Sequence, residues 1–204
     1  MGAPEIIPAT AADRGRLGGL LSDAFAEDPL VLWTCRKDAK RDEGRLALYT
    51  AGFDEYLIRG IAQTTPEKTV CALWAPPGAA HLGLRGVLSY LPVVSRYGGP
   101  LRVPYLTAVQ LRLERHHPRE PHYYLYVLGV APEAQGQGLG SAMLEHMHAR
   151  IDAEGMPAYL ETSTPRNLPL YERHGYRVRE EVVLGRGAPP TWLMWREPRP
   201  SAGA

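Results

Sequence analysis

Three glycines crowd one short stretch of the chain, Gln135-Gly136-Gln137-Gly138-Leu139-Gly140. An apolar run precedes this stretch and a helical pattern follows it. Glycine costs backbone entropy, so its use here indicates that something approaches the backbone closely. The first turn of a helix offers free N–H groups and a positive dipole end, and glycines let phosphate oxygens reach both. The stretch therefore predicts an anion site for a diphosphate, with a ligand-free strand-to-helix turn as the alternative.

Two well-known phosphate motifs do not fit. The dinucleotide fingerprint needs the third glycine one residue later, and the P-loop needs a lysine that is missing here. The pattern that fits is Q/R-x-x-G-x-G/A, and in it the chain resembles the GNAT superfamily of N-acetyltransferases. A second block, LETSTPRNLPLYERHG, adds to the likeness. Residues 119–196 look most like the puromycin N-acetyltransferases of that superfamily, whereas the N-terminal half shares only element order and fragments such as AFAEDP.

The resemblance implies how acetyl-coenzyme A (acetyl-CoA) would be held. The fourth strand would bulge near its end and splay from the fifth, so that the pantetheine arm bonds to the exposed backbone of Leu128, Gly129 and Val130. Without a ligand, Gly129 would merely relieve crowding in a core strand. The pyrophosphate would lie on the loop and the helix that follows. The implied residues there are Gln135, Gly136, Gln137, Gly138, Leu139, Gly140 and Ser141.

Acetyl transfer to an amine needs a neutral amine, a polarised thioester carbonyl and a proton for the departing thiolate. Tyr171 is the candidate acid. It follows Asn167 by four residues, so a helix over NLPLYERHG places both on one face. The resemblance assigns Asn167 to the pantetheine and Tyr171 to the sulfur. The alternative is that Tyr171 only packs and Asn167 only caps the helix.

Glu161 is the candidate base. It lies in the predicted strand AYLETS, where alternation places Tyr159, Glu161 and Ser163 on one face. A carboxylate in a mostly apolar strand indicates a site, and the resemblance makes the glutamate of LETS the base. The alternative is a salt bridge to Arg166 or Arg173.

Histidines and cysteines give no metal site. His116, His117 and His122 lack Cys, Asp or Glu at ligand spacing and are interpreted as surface or cap residues. Two cysteines cannot form a zinc site alone. No metal is therefore expected.

The elements that must position these residues alternate along the chain. Helical and strand patterns follow one another in the order βαα ββ αα β α β α ββ. This order predicts an α/β (α+β) fold with a GNAT-like, mostly antiparallel, splayed sheet of about seven strands flanked by helices. We expect one domain over residues 1–204. Its parts are an acceptor-side half at 1–118 with a helical insert at 79–117, an acetyl-CoA half at 119–197 and a frayed tail at 198–204.

Composition excludes several partner classes. The 204 residues are 45% hydrophobic and carry a net charge of +1, which predicts a globular chain without nucleic-acid or membrane partners. The N-terminus lacks a signal-peptide pattern and no apolar run approaches the ~20 residues of a membrane span. We expect a cytoplasmic protein that is either a monomer or a homodimer.

These features predict an acetyl-CoA-dependent N-acetyltransferase that acts by direct transfer on a small-molecule amine, such as an aminonucleoside or an antibiotic-like amine. The alternatives are a protein N-terminal or lysine acetyltransferase and a non-catalytic CoA-sensing module. An insert that roofs the acceptor side favours a compact acceptor, and the presence of Tyr171 and Glu161 favours an enzyme.

Overall fold

A computed structural model describes residues 4–79 and 84–199. One seven-stranded sheet runs through them in the order β1-β2-β3-β4-β5-β7-β6. Every neighbouring pair is antiparallel except β4 and β5, which are parallel. The expected mixed, mostly antiparallel sheet is confirmed. Its strands are β1 (Ile7–Pro8), β2 (Ile61–Thr64), β3 (Val70–Ala75), β4 (Tyr123–Val130), β5 (Ala158–Thr162), β6 (Arg177–Val183) and β7 (Pro190–Arg196).

Helices cover both faces of this sheet. They are α1 (Arg14–Ala24), α2 (Pro29–Thr34), α3 (Arg41–Arg59), α4 (Leu84–Gly98), α5 (Val103–His116), α6 (Leu139–Ala153) and α7 (Leu168–Arg173). Helix α2 was not expected, because the predicted order has only two helices between the first and second strands. Proline suits the first helical position, and the Asp28 carboxylate caps α2 by accepting hydrogen bonds from the backbone N–H groups of Leu30 and Val31, both at 3.0 Å.

Three apolar clusters fix these layers. In β3, alternate residues face opposite sides of the sheet: Leu73 joins a cluster under α1 and α3, whereas Trp74 joins a cluster under α6 and α7. A third cluster packs β5 to β7 against α5, with Tyr159 and Val109 among its buried members. No helix in the described ranges has the length and apolar character that crossing a membrane requires.

Candidate active site

Strands β4 and β5 pair only over their first residues, from Tyr123 opposite Ala158 to Leu125 opposite Leu160. Beyond Leu125, β4 continues to Val130 and remains paired with β3. Its other edge therefore has no strand partner in the described chain. The expected splay is confirmed, and it opens the sheet where backbone N–H and C=O groups can accept a ligand.

A β-bulge lies where this opening begins. Leu73 pairs with Val127 but the next residue, Trp74, pairs with Leu125, so Tyr126 is an extra residue in β4. The Tyr126 ring stacks on Tyr56 of α3, with centroids 4.6 Å apart and planes 10° from parallel. The expected bulge is confirmed, although it lies in the middle of β4 rather than near its end.

The glycine loop leads from β4 into α6. Gly136 and Gly138 have φ values of +78° and +81°, a region that only glycine enters without strain. The side-chain amide of Gln135 donates to the Val130 carbonyl at 3.2 Å, and that of Gln137 donates to the Glu133 carbonyl at 3.3 Å. The two glutamines thus brace the loop from within.

Gly140 differs from the other two glycines of the loop. It is the second residue of α6, and a Cβ added there would lie 3.8 Å from Leu170 and 3.9 Å from both Leu128 and Val130, which is ordinary contact. Neither its backbone nor its described neighbours therefore require glycine. The first hydrogen bond of the helix joins the Ala142 N–H to the Gly138 carbonyl, so the preceding N–H groups have no helical acceptor. A cradle that a Cβ would fill, beside free N–H donors, fits a diphosphate.

Gly129 is glycine for a different reason. A Cβ there would lie 2.7 Å from Cδ2 of Leu21 and 3.3 Å from Cβ of Ala24, because α1 packs directly on β4. The crowding interpretation thus explains this glycine. Close packing of α1 and availability of the backbone edge are compatible, since they involve different directions from the strand.

Tyr171 is buried in the cluster formed with α6, and its ring contacts Tyr176 edge-on. Burial, together with the charge of Asp28, raises the pKa of its phenol, so the hydroxyl keeps its proton at neutral pH. None of the described residues forms a hydrogen bond with its hydroxyl. Asn167 is the last residue of a short turn leading into α7, and its side chain makes no capping hydrogen bond. The side-chain cap considered as its alternative role is therefore not formed.

Asp28 reaches the same region from the opposite side of the sheet. One of its oxygens caps α2, and the other accepts a hydrogen bond from Thr164 at 2.8 Å. Sequence reasoning missed this residue. The only signal was its place in the fragment AFAEDP, because the contact joins positions 136 residues apart.

Glu161 lies on the face of β5 that is turned toward α5. Its Oε2 accepts a hydrogen bond from Tyr124 at 2.8 Å and its Oε1 accepts one from Tyr159 at 2.9 Å. Burial, and after it the charge of Glu161, raises the pKa of both phenols. The expected alternative, a salt bridge to Arg166 or Arg173, is wrong. Neutral hydroxyl groups, rather than an arginine, hold the carboxylate.

Two histidines lie beside this carboxylate. The side chain of His117 is only 7% exposed, and its Nδ1 lies 3.7 Å from Oε1 of Glu161. His122 is 6% exposed and contacts His117, with the two Nε2 atoms 3.1 Å apart. The interpretation of these two as surface or cap residues is wrong. The turn after α5 folds them against the aromatic side chains of β4 and β5, a contact that has no local sequence signature.

Tyr171, the candidate acid, and Glu161, the candidate base, lie on opposite faces of the sheet. Leu160 of β5 packs in the same cluster as Tyr171, whereas the adjacent Tyr159, which holds Glu161, packs in the cluster under α5. The opening between β4 and β5 connects the two faces. A ligand that passes through it would meet Tyr171 on one side and Glu161 on the other.

A cavity of about 420 Å³ lies beside the start of α6. It extends from Ser141, whose hydroxyl is 3.0 Å from Nε2 of His174, toward Arg173 and Arg199. Ser141, which follows the glycine loop, lines the cavity, whereas Glu161 and Tyr171 do not. Among the described residues, no three His, Cys, Asp or Glu side chains are grouped to hold a metal ion.

Comparison with known proteins agrees with this geometry. Residues 107–178 match the model of the acetyltransferase (GNAT) domain. An uncharacterized N-acetyltransferase of Schizosaccharomyces pombe is 27% identical over 95% of this chain and 83% of its own length. The 5-NmdU N-acetyltransferase of Pseudomonas phage PaMx11 is 33% identical over 36% of this chain, a match that spans 52% of the phage enzyme.

A solved structure from Corynebacterium glutamicum, described as a histone acetyltransferase and related acetyltransferase, superposes with a TM-score of 0.75. It is 26% identical in sequence and covers 99% of this chain and 100% of its own. Together with the acetyltransferase (GNAT) domain matched at residues 107–178, this likeness supports an N-acetyltransferase of GNAT type.

Proposed function

We propose that this enzyme transfers the acetyl group of acetyl-CoA directly to the amine of a small molecule. The observation that carries the proposal is the opening between β4 and β5. It has an anion cradle at Gly140 at one end and the side chains of Tyr171 and Glu161 on its two faces. Two requirements of acetyl transfer, a base for the amine and an acid for the departing thiolate, thus have candidate residues beside this opening.

The chain offers matching groups along the length of acetyl-CoA. The β4 edge at Leu128, Gly129 and Val130 would bond to the pantetheine arm as an added strand does. The loop and the first turn of α6 would take the pyrophosphate, and the Asn167 amide, which does not cap α7, would bond to the pantetheine arm. Arg173, in the adjoining cavity, is a cation suited to a further phosphate.

Tyr171 and Glu161 divide the proton chemistry. Bound acetyl-CoA supplies an activated thioester carbonyl. Glu161 accepts the proton that an ammonium acceptor must lose before it becomes nucleophilic. Tyr171, whose phenol is protonated at neutral pH, donates its proton to the departing sulfur.

Direct transfer is favoured over an acetylated cysteine. The chain has two cysteines, Cys35 and Cys71, and both are buried. Burial raises the pKa of both thiols, that of Cys71 to about 12. Neither supplies the thiolate that a covalent relay needs.

Helices α2 and α5 and the turn between β6 and β7 meet on the proposed acceptor side, which favours a compact acceptor. A Cβ added to Gly185, between β6 and β7, would lie 2.9 Å from the Tyr105 hydroxyl of α5 and 3.1 Å from Trp33 of α2. Arg102 fixes the end of α2 by donating to the carbonyls of Trp33 and Thr34 at 3.2 and 2.9 Å. We infer that these contacts narrow the acceptor side, which disfavours a peptide as acceptor.

We further infer that the chain acts as one catalytic domain. Residues 1–118 supply the acceptor side and 119–197 the acetyl-CoA side, since one sheet runs through both. The likeness to puromycin N-acetyltransferases suggests aminonucleosides as first acceptors to try. The phage relative, whose name specifies 5-NmdU, suggests amines carried on a nucleobase.

The experiment is a thiol-release assay with acetyl-CoA and a panel of amines that includes aminonucleosides, alkylamines and a short peptide. For accepted amines of similar shape and graded pKa, kcat/KM is compared between wild type and Glu161→Gln. The loss should be larger for an amine of pKa near 10 than for one near 7, which is already mostly neutral at pH 7.5. Glu181→Gln is the matched control. Glu181 is an exposed residue of β6 whose carboxylate accepts a hydrogen bond from Trp192 of β7.

Turnover of the peptide alone would overturn the small-acceptor proposal. A loss that is independent of amine pKa would exclude Glu161 as the base. No thiol release with any amine, despite measurable acetyl-CoA binding, would refute the proposed reaction.

A further inference from the structure

We propose that the cavity beside α6 binds a phosphate monoester through the guanidinium groups of Arg173 and Arg199. Coenzyme A carries one such group on its ribose, in addition to its diphosphate. The inference therefore rests on the proposed function and deepens it, because it concerns which form of the coenzyme the enzyme selects. The cavity measures about 420 Å³, which lies within the roughly 300–1,000 Å³ typical of small-molecule pockets.

The lining of this cavity is positively charged. One wall is a stripe of α6, and the facing side chains come from the end of α7 and from β7 with the segment after it. Three arginines, two carboxylates and two histidines line it. Burial lowers the pKa of both His174 and His148, the latter to about 3, so both rings are neutral at physiological pH. The arginines then exceed the carboxylates by one charge.

Asp152, one of the two carboxylates, is fully engaged by neighbouring donors. Its two oxygens accept hydrogen bonds from Nη1 and Nη2 of Arg196, both at 2.7 Å. One of these oxygens also accepts from the backbone N–H of Arg199 at 2.8 Å. The Arg196 side chain is only 2% exposed, so this bidentate pair is a fixed part of the wall. Its charges offset each other and leave two arginines to act on a ligand.

Those two arginines have donors to spare. Neither the Arg173 nor the Arg199 guanidinium bonds to a described residue or pairs with a described carboxylate. Arg199 is nevertheless placed with some precision, because a Cβ added at Gly175 would lie 2.7 Å from its Nη2. Gly175 ends α7 with a φ of +93°, where glycine is favoured. Two unpaired guanidinium groups suit a phosphate, whose oxygens accept several charge-assisted hydrogen bonds.

Ser141 connects this cavity with the proposed diphosphate site. It is the third residue of α6, so it lies in the first turn, and it also lines the cavity. Its hydroxyl is 3.0 Å from Nε2 of His174, whose backbone carbonyl accepts from Nε of Arg196 at 3.1 Å. One ligand can therefore contact the first turn of α6 and the arginines together. This continuity favours the phosphate of the coenzyme itself over a separate phosphate ester.

Glu145, the second carboxylate, opposes an anion in the cavity. It is exposed and lies one helical turn after Ser141, so water screens its repulsion. Burial lowers the pKa of His174, the charge of Glu145 acts against this, and the charges of Arg173 and Arg199 add to it. A bound phosphate would act in the same direction as Glu145 and raise this pKa. The His174 ring therefore reports whether the cavity holds an anion.

The first test compares acetyl-CoA with acetyl-dephospho-CoA, which lacks only the monoester, by titration calorimetry at constant ionic strength. Wild type should bind the dephospho form at least ~10-fold more weakly. The double variant Arg173→Gln/Arg199→Gln should bind acetyl-CoA at least ~10-fold more weakly than wild type does, and acetyl-dephospho-CoA within about twofold. Arg177→Gln is the matched control, because Arg177 is an exposed arginine of β6 that does not line the cavity.

The second test needs neither coenzyme nor activity. Inorganic phosphate is added at constant ionic strength to ¹⁵N-histidine-labelled protein, and the His174 signal is identified by its loss in His174→Gln. Phosphate should raise the pKa of His174 in wild type and leave it unchanged in the double variant. Equal affinity for the two coenzymes together with this rise would support the site and assign it to a separate phosphate ester.

Two results would overturn the proposal. One is equal affinity for the two coenzymes together with a His174 pKa that phosphate does not move. The other is a preference for acetyl-CoA that the double variant retains, since the monoester would then bind away from Arg173 and Arg199. Either result leaves the proposed acetyl transfer standing if wild type still binds acetyl-CoA and releases thiol. Failure to bind acetyl-CoA at all would refute the proposed function instead, and the phosphate titration would still test the cavity.

Discussion

The substitution Gly140→Ala should make the protein more stable and yet lower its affinity for acetyl-CoA. Gly140 is the second residue of α6, with a helical backbone and only ordinary contacts around its missing Cβ. Gly136 and Gly138 are less informative, because their positive φ values would strain any other residue. A substitution there could weaken acetyl-CoA binding by distorting the loop as well as by blocking the ligand. Gly140 separates the two effects.

The expected changes in unfolding free energy and in acetyl-CoA affinity have opposite signs. Replacing glycine by alanine inside a helix adds about 0.5–1 kcal/mol to the free energy of unfolding. For a chain of this size that corresponds to a rise in Tm of roughly 1–4 °C. A phosphate oxygen bonded to the N–H groups of the first turn lies about 2.9 Å from the nitrogen, and a methyl group in that space displaces it. Weakening one charge-assisted hydrogen bond, worth about 1.5–3 kcal/mol, predicts at least ~10-fold weaker binding.

The assay pairs thermal unfolding with titration calorimetry of acetyl-CoA. Gly15→Ala is the matched control, since Gly15 is the second residue of α1 and nothing lies within 4 Å of its added Cβ. Both variants should gain stability, and only Gly140→Ala should lose affinity. An unchanged Kd in a folded Gly140→Ala protein would refute the assignment of the cradle to the diphosphate.

Three further predictions concern single side chains. Tyr171→Phe should lower kcat by ~10²–10⁴-fold with little change in the acetyl-CoA Kd, and a mutant that keeps most of its kcat would leave Tyr171 as a packing residue. Asp28→Ala should cost about 1–2 kcal/mol of unfolding free energy in urea, because α2 loses its cap and Thr164 loses its partner. Burial lowers the pKa of His148 to about 3, so between pH 6.5 and 3 only the unfolded chain binds this proton. The unfolding free energy should therefore fall as the pH falls, by roughly 1 kcal/mol per pH unit from this group. His148→Phe should flatten that slope, and an equal slope in both proteins would contradict the assignment.

Local chemistry explains why the loop was predictable. The glycine pattern follows a β-branched and aromatic run and precedes a helix, and both the free N–H groups of a first turn and the positive φ of Gly136 and Gly138 are properties of a few adjacent residues. Alternation within β5 likewise predicted that Tyr159 and Glu161 share a face, and their hydrogen bond at 2.9 Å confirms it. Such features depend on neighbours in the chain, which a sequence displays directly.

What the tertiary structure decided is which distant residues meet. Asp28 bonds to Thr164, Glu161 takes two tyrosines instead of an arginine, and His117 with His122 turns inward to that carboxylate. Periodicity and turn chemistry, which act over a few residues, predicted the helices, the strands and the glycine loop. The roles of Tyr171 and Glu161 followed from the resemblance of two sequence blocks to the GNAT superfamily. The partners of Glu161 depended on how α5 and its following turn pack against β4 and β5, and packing between separate elements leaves no spacing in the chain from which it could be predicted.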